Sequence, residues 1–216
     1  MSLKLVLAVS LDGRLAPPGG GAAQLGGAGD RRVLEQALTW ADACLLGAGT
    51  LRAHRSTCQI RCPQRLEQRL AERRPAQPAA VVVSRGNPPP GLDPSWLFWR
   101  QPLQRLLAAP AGAAALPPAG FEQLVPFEHW QGLLSGLKAA GFERLVLLGG
   151  AQLASALLQA DLVDELQLTL CPLLLGGAFQ WLPAAARLQP QRWHLLETQP
   201  LGEDELLLRY QRSGNS

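Results

Sequence analysis

The chain has 216 residues, 47% of them apolar and 17% charged, and a net charge of +3. That length suits one globular domain. No apolar run approaches the roughly 18 residues that span a bilayer, so no membrane association is expected. The positive balance comes without a basic run interleaved with aromatics, which suits phosphate ligands and a solvated surface rather than nucleic acid.

Leu3 to Val9 reads as a buried strand that runs into Ser10-Leu-Asp-Gly-Arg14. Met1-Ser2-Leu3-Lys4 enters that strand at once, so no secretory signal is expected and the cytoplasm is the expected compartment. Gly19-Gly-Gly21 and Gly26-Gly27 mark a loop. Asp30 is placed to cap a helix from about Arg31 to Ala41, in which Val33, Leu34, Ala37, Leu38 and Ala41 form a stripe of helical period. Ala43 to Leu46 is the next strand, followed by the glycine turn Gly47-Ala-Gly49-Thr50. Pro63 suits the first turn of a helix through Arg73. Ala79 to Val83 is a third buried strand, ending at Ser84-Arg85-Gly86.

Residues 86–120 are rich in proline and alanine around Ser95-Trp-Leu-Phe-Trp99, and read as a meandering connection with one short strand and one short helix. His129 to Ala140 is predicted helical, with Gly141 ending it. Arg144 to Leu148 is a strand, then Gly149-Gly150 open a helix through Ala160. Asp164 to Cys171, Trp193 to Thr198 and Glu205 to Gln211 are strands with no helix between them. The pattern predicts an α/β fold, a mostly parallel central sheet with antiparallel C-terminal strands.

A glycine turn between a buried strand and a helix start exposes backbone N–H groups to a phosphate. Two such turns imply a ligand with more than one phosphate, or a cofactor beside a phosphorylated substrate. Gly47-Ala-Gly49 is half of a dinucleotide fingerprint, but the third glycine and the ribose-binding acid are absent. Ser84-Arg85 suits a ribose 2′-phosphate, favouring NADP over NAD; a plain strand-to-turn junction is the other reading. Cys44 and Cys171 lie in apolar runs and read as core. His54, Cys58 and Cys62 are spaced by four but lack a fourth ligand, so no metal is expected. No nucleophile motif is present. Asp12 is the one acid beside a glycine turn at the proposed site, with either a turn-forming or a functional role. Glycine cradles with few candidate acids or bases fit hydride transfer, in which the cofactor carries the chemistry.

The ordered set of Leu5 to Arg14, Asp42 to Thr50 and Gly149 to Gly177, which includes Leu162-Val-Asp-Glu-Leu166, resembles the reductase domain of the bifunctional riboflavin-biosynthesis deaminase/reductase. That domain is of the dihydrofolate-reductase-like superfamily. The resemblance runs through nearly the whole chain and implies a single reductase domain over 1–216 with a three-layer fold, lacking the deaminase half. It implies NADPH as cofactor. Ala8 would lie against it, Gly47, Gly49 and Thr50 would contact it, and Ser84 with Arg85 would meet its adenosine end. Gly149, Gly150, Ala151, Gln152 and Leu153 would hold its pyrophosphate. Arg61 would bind the phosphate of the substrate, with Asp12 a second candidate there. The implied reaction reduces 5-amino-6-(5-phosphoribosylamino)uracil to the ribityl form.

No catalytic acid or base is singled out. The apolar tail from Leu166 to Leu175, with Trp181, Trp193 and Leu206-Leu-Leu208, implies a homodimer. The chain departs from the family's pattern at Leu148, where an acid is usual, at Leu25, where a tryptophan is common, and around His54-Arg55-Ser56, which replaces Asp-Asp-Pro. A same-fold reductase of another heterocycle or carbonyl, dihydrofolate included, therefore stays open, as does a nucleotide-binding relative without turnover.

Overall fold

Ala79–Val83 is five apolar residues, all of them buried. A run apolar on both faces finds its place inside a parallel sheet. The elements around it are those of a computed structural model that describes residues 1–21, 23–112 and 116–213. In chain order they are β1 (Ser2–Ser10), α1 (Ala28–Trp40), β2 (Ala43–Gly47), α2 (Ala48–His54), α3 (Pro63–Ala71) and β3 (Ala79–Val83). A 3₁₀ turn at Leu97–Arg100 leads to β4 (Arg105–Pro110), β5 (Gln123–Phe127), α4 (Trp130–Ala139) and β6 (Arg144–Leu147). Last come α5 (Ala151–Gln159), β7 (Glu165–Cys171), β8 (Trp193–Gly202) and β9 (Glu205–Arg212). The chain divides into two compact units, Met1 with Glu35–Val146 and Ser2–Leu34 with Leu147–Ser216.

In the first unit the strands lie in the order β5-β4-β3-β2-β6. Strands β2, β3, β4 and β5 run parallel. Leu46, Leu51, Val82, Phe98, Leu107 and Phe121 are buried together as a core. The expected connection with one short helix and one short strand is present, as the 3₁₀ turn and β4, and a second strand follows it. β4 falls inside it, but β5 lies beyond residue 120, and residues 113–115 are outside the described residues. Each has a disguise. β5 carries Pro126, which a strand tolerates at a sheet edge. β4 opens with a buried Arg105, whose guanidinium donates to the carbonyls of Phe98, Trp99 and Leu103 at 3.1–3.2 Å and also to that of Gln101.

In the second unit the order is β1-β7-β9-β8. β1 and β7 are parallel, with Ala8 opposite Thr169, while β9 is antiparallel to both its neighbours. β8 is the outer strand of this order and carries Leu195 at 56% and Leu196 at 48% exposure.

Helix α1 starts earlier than predicted, and Asp30 lies inside its first turn rather than capping it. The cap comes from β9: Glu205, 4% exposed, accepts from the Gly27 amide and, at 3.0 Å, from the Asp30 amide. The other end is held by arginines. Arg69 donates to the carbonyls of Leu38, Thr39 and Ala41 at 2.6–3.2 Å, and Arg74 to those of Thr39 and Trp40 at 2.8 and 3.0 Å. These are the last-turn carbonyls that a helix leaves without internal donors. α4 ends as predicted, on Gly141 at φ +90°.

Candidate active site

In the first unit, Gly47 ends β2 opposite Val83, the last residue of β3. The Gly47–Thr50 turn and the Ser84–Arg85 junction therefore share the C-terminal edge of the parallel strands, where α/β sheets bind ligands. Ser84 is buried, its amide donates to Ala108 O at 2.9 Å, and its hydroxyl accepts from the Gly86 amide at 3.2 Å. Arg85 is exposed. Gly47 sits at φ −71°, an ordinary value, and no side chain caps the helix it opens. A Cβ on Gly47 would meet nothing nearer than Thr50 Oγ1 at 4.0 Å, and one on Gly49 nothing nearer than Arg52 Nη2 at 3.8 Å. The fold leaves room at both positions for a side chain that the sequence withholds. Such room lets a ligand approach the backbone.

In the second unit, Gly149 and Gly150 have φ +88° and +80°. A Cβ on Gly149 would come within 2.8 Å of Leu7 Cδ2, on β1. No side chain caps α5, and its internal hydrogen bonding begins with the Ala154 amide donating to Gly150 O at 2.9 Å. The preceding N–H groups, those of Ala151, Gln152 and Leu153, lie ahead of the helix ladder and face its N-terminal end. Ala8 is half-buried in a stretch of β1 otherwise buried from Leu5 to Ser10. Both turns fit a phosphate-bearing cofactor by their bare backbone.

Asp12 lies in the second unit and is occupied. Its carboxylate accepts from the Ser10 hydroxyl at 2.6 Å and from the Leu175 and Gly176 amides at 3.1 and 2.8 Å, with Arg14 Nε at 3.4 Å. The Ser10 hydroxyl above all, and then the Leu175 amide, hold its carboxyl well below the usual range. Its visible work is to tie the turn after β1 to the loop after β7. Ser10, 0% exposed, is the residue the sequence reading passed over here: its hydroxyl also accepts from the Arg14 amide at 2.8 Å.

Arg61 lies in the first unit, in the stretch between α2 and α3, and is exposed. A cavity of about 370 Å³ in this unit is lined by Asp42, Arg69, Arg74, Gln77 and Gln104 among others. It lies at the N-terminal ends of β2, β3 and β4, away from the edge that carries Gly47 and Ser84. Its buried Arg69 and half-buried Arg74 are spent on α1 carbonyls, so it is not the site. Among the described residues no three His, Cys, Asp or Glu side chains gather to hold a metal, and no helix is long and apolar enough to cross a membrane.

The architecture is that of the dihydrofolate-reductase-like class. Dihydrofolate reductase from Enterococcus faecalis complexed with NADP(H) matches 99% of this chain and 97% of its own at TM-score 0.54 and 12% identity. The chain belongs to the family described as the RibD C-terminal domain, whose model matches residues 2–207. It is thus an oxidoreductase domain of the riboflavin-pathway pyrimidine-reductase type. A pyrimidine reductase-like protein from Corynebacterium diphtheriae matches at TM-score 0.82 and 18% identity, over 99% of this chain and 92% of that one. Acinetobacter baumannii RibD matches at TM-score 0.79 and 25% identity, over 98% of this chain and 58% of that one. The chain therefore spans little more than half the length of that RibD. No curated protein sequence is significantly similar to it.

Proposed function

We propose that the chain, acting as one reductase domain, uses NADPH to reduce 5-amino-6-(5-phosphoribosylamino)uracil to its ribityl form. The observation that carries this reading is the pair of vacant Cβ positions at Gly47 and Gly49, set beside Ser84 and Arg85 in a chain of this family. NADPH, when bound, supplies the hydride. Gly47, Gly49 and Thr50 of the first unit give it close backbone contact, and Ser84 with Arg85 take its 2′-phosphate end. In the second unit, Gly149, Gly150, Ala151, Gln152 and Leu153 hold its pyrophosphate, and Ala8 leaves room at the strand for its ring. Arg61 holds the phosphate of the sugar, which fixes the sugar's C1′ against motion; a charge-assisted contact of this kind is geometrically specific.

The test is turnover. Purified protein given NADPH and the precursor should consume NADPH and yield a product heavier by two hydrogens. Arg61→Ala should raise KM for the precursor by about tenfold or more, as loss of a charged hydrogen bond does, with NADPH affinity unchanged. Protein that fails to bind NADPH refutes the reading.

One observation favours a second substrate class. Leu148 is half-buried where the family's pattern has an acid. Protein that binds NADPH but leaves the precursor intact would be a same-fold reductase of a less polar heterocycle or carbonyl. Leu148→Glu separates the two. It should improve turnover of the precursor, and it should impair a reductase whose substrate is apolar there, because an unpaired buried carboxylate is costly.

We further infer a cytoplasmic homodimer that pairs along β8, where Leu195 and Leu196 stand exposed on an outer strand. A monomeric mass by sedimentation at micromolar concentration would refute the dimer.

A further inference from the structure

Residues 57–62, between α2 and α3, form neither helix nor strand. Three buried polar side chains nevertheless hold their backbone. Gln101, 6% exposed, pairs with Thr57 in both directions: the Thr57 amide donates to its Oε1 at 2.9 Å, and its Nε2 donates to Thr57 O at 2.7 Å. Gln77, 8% exposed, does the same for Ile60, at 2.9 and 2.8 Å. Glu35, 6% exposed on α1, accepts at one oxygen from the Arg61 amide at 3.1 Å and the Cys62 amide at 2.9 Å. The two glutamines act as strand mimics, offering the donor and acceptor that a ladder partner would. The glutamate supplies the cap that Cys62, at the start of α3, does not make for itself.

A connecting loop of this length needs no such support, and buried polar side chains are costly unless paired. The outcome of the pairing is that the backbone at Arg61 is pinned while its side chain remains exposed. We infer that Glu35, Gln77 and Gln101 are positioning residues that hold the 57–62 segment so that Arg61 meets the substrate's phosphate at a fixed place. This rests on the reading of Arg61 as the phosphate ligand. Positioning matters at that distance from the reacting atom because the phosphate is the handle by which the sugar is aligned.

Glu35→Ala removes the acceptor of two amides. It should raise KM for the phosphorylated precursor by about tenfold, with kcat and KM for NADPH within about twofold, since misplacement of a binding group is read in substrate affinity. Glu35→Gln keeps an oxygen and should recover most of that loss. In an Arg61→Ala background Glu35→Ala should add less than about twofold, because residues acting through one contact are not additive. Toward the precursor lacking its phosphate, Glu35→Ala should have no effect.

A raised KM that persists with the dephosphorylated precursor, or that adds fully to Arg61→Ala, overturns the inference and leaves Glu35 a structural residue. An Arg61→Ala variant with unchanged KM overturns the assignment of Arg61 and this inference together. Should Glu35→Ala fail to fold, amide hydrogen exchange of the wild-type protein decides. The Thr57, Ile60, Arg61 and Cys62 amides must be protected without substrate, and rapid exchange there overturns the inference.

Discussion

The two glycine turns have the same outline, a buried strand, glycines and a helix, yet glycine is present for different reasons. At Gly149 and Gly150 the backbone is left-handed, and a Cβ on Gly149 would strike Leu7. There the fold itself demands glycine. At Gly47 and Gly49 the space is open. A glycine inside a helix such as α2 forgoes about 0.5–1 kcal/mol relative to alanine. The fold gets nothing in return for Gly49, so the return is sought in a ligand. Helix α4 gives the contrast: His129 caps its own helix by accepting from the Gly132 amide at 3.0 Å, while α2 and α5 start without a side-chain cap.

The sharpest way to break this comparison is Gly149→Ala. Left-handed backbone with a Cβ costs about 1–2 kcal/mol, and the forced movement of Leu7 adds about 1–3 kcal/mol more. Urea unfolding should show a loss of about 2–5 kcal/mol. A loss within about 0.5 kcal/mol, the range of an unimportant surface change, would put Gly149 in the same group as Gly49.

Arg85→Ala tests the open edge with no fold effect expected, because the side chain is exposed. It should cut the preference for NADPH over NADH by about 1.5–3 kcal/mol, the worth of a hydrogen bond to a charged group. Equal affinity of the wild-type protein for the two cofactors, by titration calorimetry, removes the 2′-phosphate assignment.

Gly49→Val completes the contrast. Valine is at least as good a helix residue as glycine, so stability should stay within about 0.5 kcal/mol. NADPH should bind about tenfold more weakly, which is about 1.4 kcal/mol. Unchanged affinity would mean that nothing approaches that backbone.

The glycine motifs were legible in the sequence; which of them the fold itself requires was not, because that depends on φ and on Leu7, which is distant in the chain. The strands with unbroken apolar runs, β2 and β3 among them, were legible for the reason that they are buried on both faces. β5 was not, since Pro126 argues against a strand unless the strand is known to be at an edge. α1 was found but started late, because its cap, Glu205, lies 178 residues from Gly27. Arg61 is proposed as a phosphate ligand only through resemblance. Its supports could not be read at all: Glu35, Gln77 and Gln101 reach the segment from 26, 17 and 44 residues away, and no local spacing marks them.

The smallest effect expected concerns the carboxylates that pin the second unit. Burial above all pushes the Asp30 carboxyl above its ordinary 3.8, and the nearby Glu205 charge adds to this against the Thr169 hydrogen bond and Arg31. The folded state therefore holds the proton longer than the unfolded chain does. Its stability is unaffected below about pH 3.8, and falls as pH rises from there through the folded value, because the ionised group is worse accommodated in the fold. Asp30→Asn keeps an oxygen to accept from Thr169 and removes that ionisation. The variant should match the wild type near pH 3.8 and be more stable at pH 7, by at most about 2–4 °C in Tm, the shift that 1 kcal/mol gives in a chain of this size. NADPH binding should not change, since Asp30 serves the helix and not the turn. The opposite sign, a variant less stable at pH 7, would show that the α1 N-terminus draws net benefit from a second negative charge beside Glu205. The second unit's carboxylates would then act as a dipole clamp rather than as hydrogen-bond acceptors alone.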